Sequence, residues 1–160
     1  MANVAPHPEL LALLQQVKDP EIPTLSLVEL GVIEQAELRP DGSVYVELIP
    51  TFAGCPAIAF MALEVEQVLK NAGYTQPMVV INKHKGWDSN KITEAGRQHL
   101  LDFGLAPPPR HQGDYAVEAV ACPHCGSSRT VLKNPFGPTL CRAIHYCQDC
   151  RETFEQFKPL

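Results

Sequence analysis

Four of the six cysteines fall in two pairs, Cys122-Pro-His-Cys125 and Cys147-Gln-Asp-Cys150, with 21 residues between them. A C-x-x-C turn aims two sulfurs at one point. Two such turns on neighbouring hairpins close a tetrahedral site of four thiolates. Each pair follows a stretch with strand character, "YAVEAVA" and "RAIHY". Residues 114–160 number only 47, too few to bury a self-sufficient core. A metal ion at the four cysteines supplies the missing folding free energy.

The spacing is that of a zinc ribbon, slightly longer than usual, and structural Zn²⁺ is the reading it favours. A rubredoxin-like iron site uses the same ligands and stays open as the alternative. With four cysteines as ligands there is no open position for water, so zinc-dependent hydrolysis is not expected. His124 and His145 lie beside the pairs, but neither is needed as a ligand. A thioredoxin-like role for either pair lacks its βαβ context.

The rest of the chain sets the context. "MANVAPHPELLALLQQVKD" has no basic leader and no long apolar run, so neither a signal peptide nor a membrane span is expected. The reading is a cytoplasmic protein, where cysteines serve metal or thiol chemistry rather than disulfides. The net charge of −5 disfavours nucleic-acid binding, which needs basic surface to displace counterions. Residues 114–160 hold five Lys/Arg and five Asp/Glu, so the first 113 carry the whole excess.

Pro107 to Pro109 cannot continue a helix and favour an extended spacer. The expected organisation is therefore a domain over 1–106, a Pro-rich linker over 107–113 and a ribbon over 114–160. The first domain reads α-β-β-α-β-α. Pro8 suits the first position of a helix with Leu10, Leu11, Leu14 and Val17 on one face. "SLVELG" is one turn closed by Gly31, and Asp41-Gly42 joins a hairpin. Ile58, Met61, Val65, Val68, Leu69 and Ala72 mark a long helix, "PMVVINKH" a strand, and Ile92 to Phe103 a last helix. The fold class is α+β: helices packed on a sheet, followed by an all-β zinc ribbon.

The stretch "TFAGCPAI" puts a thiol immediately before the long helix. With Pro56 as the first helical residue, Cys55 is expected at the N-cap, facing unpaired N–H groups and the positive end of the dipole. Such places favour a thiolate, and a thiolate grips soft metals where a serine would not. The plain alternative is a small buried hydrophobe. Asp19 and Glu21 sit in the proline-bracketed loop "KDPEIP". Trp87 precedes the last helix in a polar loop. Cys141 is left over from the two pairs: either a small residue facing the ribbon core, or a free thiol on a loop near the metal.

Together, "VKDPEIPTLSLVELGVI", "TFAGCPAI" and "GWDSNKITEAGRQHLLDFGLAPP" resemble the SufT-like family of small iron–sulfur maturation domains. The tail, with "CPHCGS" and "FGPTLCRAIHYCQDCRETFEQFK", resembles the ribbon of PaaD-like phenylacetate-degradation proteins. The resemblance covers nearly the whole chain and implies a non-catalytic maturation factor. Its client is the iron–sulfur or di-iron centre of a multicomponent oxygenase such as phenylacetyl-CoA epoxidase. The oxygenase component of that complex contains di-iron and its reductase component a [2Fe–2S] cluster. Carried over residue by residue, the motif cysteine is Cys55, the acidic loop Asp19 and Glu21, the tryptophan Trp87 and the extra cysteine Cys141. The ribbon ligands are Cys122, Cys125, Cys147 and Cys150.

The cofactors implied are structural Zn²⁺ and a transient iron or iron–sulfur cluster handled by Cys55, with Cys141, Asp19, Glu21 and Trp87 as the other cluster-handling candidates. The partners are the oxygenase or reductase component, with no nucleic acid and no membrane. A homodimer would let two copies of Cys55 share a cluster. The alternative function is a structural adaptor subunit carrying only the zinc.

Overall fold

The computed structural model describes residues 7–112 and 119–159. The chain divides into two compact units, Met1–Trp87 and Asp88–Leu160.

In the first unit, Pro8 opens α1 (Pro8–Leu14), where its missing N–H is one the helix would leave unpaired anyway. Leu10 and Leu14 are fully buried. The helix ends earlier than the apolar spacing through Val17 predicts. The N–H groups of Gln16 and Val17 turn back to Leu13 and Leu14, which tightens the last turn, and Lys18 then bridges to Ser26. Ser26 starts the short α2 (Leu27–Leu30) with a capping box: its hydroxyl accepts from Glu29 N–H, and the Glu29 carboxylate accepts from Ser26 N–H. Gly31 closes the turn at φ 76°, as predicted.

β1 (Ile33–Leu38) and β2 (Val44–Leu48) form the expected antiparallel hairpin. Val44, Val46 and Leu48 are buried while Tyr45 and Glu47 are half-exposed, the period-two pattern of a sheet with one wet face. α3 (Ile58–Asn71) crosses over to β3 (Met78–Ile81), which pairs parallel with β2 in the order β1-β2-β3. α3 buries Ile58, Met61, Val65 and Leu69, one stripe at helical spacing. Burying each such side chain contributes about 1.5–3 kcal/mol.

In the second unit a 3-10 turn (Ser89–Lys91) leads to α4 (Glu94–Asp102), capped by the Thr93 hydroxyl accepting from Gly96 N–H at 3.0 Å. The chain then enters β4 (Leu105–Ala106), which pairs parallel with β7 (Thr153–Phe157). With β5 (Thr130–Asn134) and β6 (Arg142–Cys147) the sheet runs β4-β7-β6-β5. Thus α4 and β4, expected with the first domain, lie in the second compact unit, because β4 takes its hydrogen-bond partners from β7.

The proline run has no helix or strand, yet it is tied down. Arg97 donates to the carbonyls of Pro108 and, at 3.3 Å, Ser89. Asn90 exchanges two hydrogen bonds with the His111 backbone, at 2.7 and 3.2 Å. Of the strand expected over "YAVEAVA", residues 115–118 lie outside the described residues, and residues 119–121 are not in a strand. No helix among the described residues is long and apolar enough to cross a membrane.

Candidate metal centre and thiol site

The knuckles are built alike. In the first, Gly126 N–H donates to Cys122 O at 2.8 Å; in the second, Arg151 N–H donates to Cys147 O at 3.0 Å. Both turns end on a left-handed residue, Gly126 at φ 75° and Arg151 at φ 63°. These turns bring Cys122, Cys125, Cys147 and Cys150 together, with all four sulfurs within 4.8 Å of one another. Cys122 Sγ lies 3.7 Å from Cys150 Sγ, and Cys125 Sγ lies 3.6 Å from Cys147 Sγ. A tetrahedral Zn²⁺ with bonds of about 2.3 Å separates its sulfurs by about 3.8 Å, so the cluster is already the size of the ion. The same distances are far too long for disulfides.

The protonation of the four sulfurs is uneven. Backbone N–H groups of Cys150 and Asp149 point at Cys147 and, with its neighbours Cys125 and Cys150, hold its thiol at about 7. At Cys150 the Glu152 N–H favours the thiolate, but burial and the Cys147, Cys122 and Cys125 thiols outweigh it and push the group up to about 12. Four sulfurs this close cannot all ionise without a cation among them. The donor set therefore fits a bound dication, and it leaves no position for a water ligand.

Asp149, inside the second pair, ties the knuckles together. It accepts from the Ser127 hydroxyl and, at 2.7 Å, from Arg129. The sequence reading missed this clamp. Its only signal is an acid in one C-x-x-C facing the "GSSR" that follows the other. His145, fully buried on β6, stacks on Phe154 at 5.3 Å and hydrogen-bonds Gln156 Oε1 at 2.7 Å. His124 is exposed, edge-on to Phe154. Neither histidine belongs to the four-sulfur group. Cys141 also lies outside it: the residue is buried, with its sulfur 3.1 Å from the Thr139 hydroxyl.

Cys55 is half-buried in the turn before α3. The expectation that it caps the helix is corrected by two residues. The N-cap is Ala57, whose carbonyl accepts the first helical bond from Met61 N–H at 2.9 Å. Pro56 and Ala57 form a turn ahead of the helix proper, so Cys55 stands just outside its mouth. Cys55 N–H itself donates back to Phe52 O at 3.1 Å.

Asp19 is buried, and its carboxylate accepts from the N–H groups of Glu21 and Ile22 at 2.8 and 3.0 Å. It shapes the loop, while the Glu21 side chain is exposed. Trp87 is buried, with its indole N–H donating to Leu30 O at 3.0 Å. Among the described residues, the ribbon cysteines are the one group of three or more metal-capable side chains, and Cys55, Asp19 and Glu21 form no second one.

Two family models match. Residues 8–76 match an iron–sulfur cluster assembly protein family, and residues 106–158 match the PaaD zinc beta ribbon domain. Over 99% of the chain and 97% of the relative, it is 34% identical to an Escherichia coli (strain K12) protein provisionally named as one of the subunits of 1,2-phenylacetyl-CoA epoxidase. The chain belongs to the PaaD family. An uncharacterized protein of Methanocaldococcus jannaschii, MJ1129, is 30% identical over 48% of this chain and 80% of its own.

Two solved structures share the fold at 21% identity. A domain of unknown function, DUF59, from Bacillus anthracis has a TM-score of 0.53 and is 88% covered by 57% of this chain. The conserved hypothetical protein TM0487 from Thermotoga maritima has a TM-score of 0.50 and is covered whole by 66% of this chain. This PaaD-family chain thus joins an α+β assembly-type domain to a ribbon bearing a four-cysteine metal-binding cluster.

Proposed function

We propose that this protein is a cytoplasmic, non-catalytic factor that matures the metal centre of a multicomponent oxygenase of the phenylacetyl-CoA epoxidase type. The observation that carries this is the union, in one chain, of an iron–sulfur assembly domain with the PaaD ribbon, at full-length similarity to a protein named for that epoxidase. Zn²⁺ in the four cysteines shapes the ribbon. Cys55 is the sulfur that handles iron or an iron–sulfur cluster as cargo, and Cys141, buried in the second unit, has no part in that task. A half-buried sulfur in a turn reaches solvent and a client, which a core sulfur would not. The client is the oxygenase or the reductase component.

A second reading is a structural adaptor that hands over no metal. Asp19 and Trp87 favour it, because both have structural partners within the first unit. The deciding experiment purifies the client from cells carrying wild-type protein or Cys55→Ser and measures client iron. Iron-poor client with a folded variant supports maturation. Fully loaded client removes Cys55 from the task and leaves the adaptor. An absorption spectrum of anaerobically purified protein then separates colourless zinc from iron sulfide.

A further inference from the structure

α3 is amphipathic in its second half and apolar all round in its first. Its inner stripe begins at Ile58 and continues to Leu69. The outward positions from Glu64 to Asn71 are polar or charged, except half-buried Val68. The outward positions of the first two turns include Phe60 and Leu63, 52% and 63% exposed. Three residues apart, they are neighbours on the helix surface. A surface helix ordinarily carries polar side chains there, so two adjacent exposed large apolar groups are a departure that a covering partner would explain. The pair lies at the Cys55 end of the helix, five and eight residues beyond the thiol.

The charge of the same unit indicates what covers the pair. Residues 1–87 hold ten Asp/Glu and five Lys/Arg, the whole net charge of −5, while residues 88–160 hold eight of each. A second copy of this face would bring two bodies of −5 together, which disfavours self-association. A partner whose apolar centre is set in basic surface is drawn to a body of that charge.

We propose that Phe60 and Leu63 are the docking surface for the client of Cys55, and that the client's matching face is apolar with a basic rim. This rests on the maturation reading above. Docking here seats the client's metal-binding groups at the mouth of α3, where Cys55 stands.

The test measures binding of the purified oxygenase and reductase components of the epoxidase to three forms of the full chain: wild type, Phe60→Gln/Leu63→Gln and Cys55→Ser. Both glutamines suit an exposed helix, and an unchanged circular dichroism spectrum and melting temperature verify the fold. The double variant is expected to lose at least about tenfold in affinity for one component. Wild-type binding is expected to weaken as salt rises. Wild-type affinity in the double variant overturns the proposal, as does wild type that binds neither component. Sedimentation showing that the pair instead closes a dimer of this chain also overturns it. If Cys55→Ser still loads the client while the double variant fails to bind, the docking surface stands and the maturation role of Cys55 falls.

Discussion

Arg151 occupies, at φ 63°, the place that Gly126 takes at φ 75° in the first knuckle. A side chain in the left-handed region costs about 1–2 kcal/mol, and glycine escapes that cost. Arg151→Gly is therefore expected to stabilise the zinc-loaded ribbon by about 1 kcal/mol, less the extra chain entropy that glycine loses. Thermal melts would check this, with Gly126→Ala moving the other way. The four ligands were legible because C-x-x-C spacing is local. Arg151 was not, because nothing in its own side chain announces a positive φ. Trp87 was legible as unusual, but its task depends on Leu30, 57 positions away. Cys55 was legible as a thiol before a helix. Its offset from the N-cap was not, because Pro56 and Ala57 spend their residues on a turn first.

Hydrophobic period gave most elements: α3, the hairpin of β1 and β2, and β6, the strand that leads into the second knuckle. It failed where pairing decides. Leu105–Ala106 is too short to show a pattern and is a strand only because β7 lies beside it. At the core of the ribbon sheet, burial holds the His145 ring below its ordinary 6.5, although the Gln156 contact opposes this. The unfolded chain thus takes up the proton first as pH falls, and folding stability is lost on the acid side. The ligands act in the same direction, since thiolates such as Cys147, at about 7, must stay deprotonated to hold metal. Melts of the zinc-saturated protein should show the ribbon weakening as pH drops from about 7 to about 5. A chromogenic chelator should register faster zinc release over the same interval. A ribbon equally stable across that range would contradict both assignments.

The two compact units are held by different means. The first buries a continuous set of leucines, isoleucines and valines under its sheet. In the second, the sheet's own apolar cluster is small: Ala106 and Phe154, with the sulfurs of Cys122 and Cys147. Strong chelation of the full chain is therefore expected to melt β5, β6 and β7 while β1, β2 and α3 keep their amide protection. Hydrogen exchange before and after chelation would display this, and loss of protection in both units together would refute it. The two units also differ in charge, which composition revealed, whereas their boundary at Trp87 depends on which strand Leu105 meets.

That meeting has a practical side. Anyone who trims this molecule just past its prolines, trusting them as a natural seam, discards Leu105 and Ala106. One flank of β7 is then left raw, with open amides inviting a neighbour to stack on. Such a fragment would report clumping that the whole protein need never suffer.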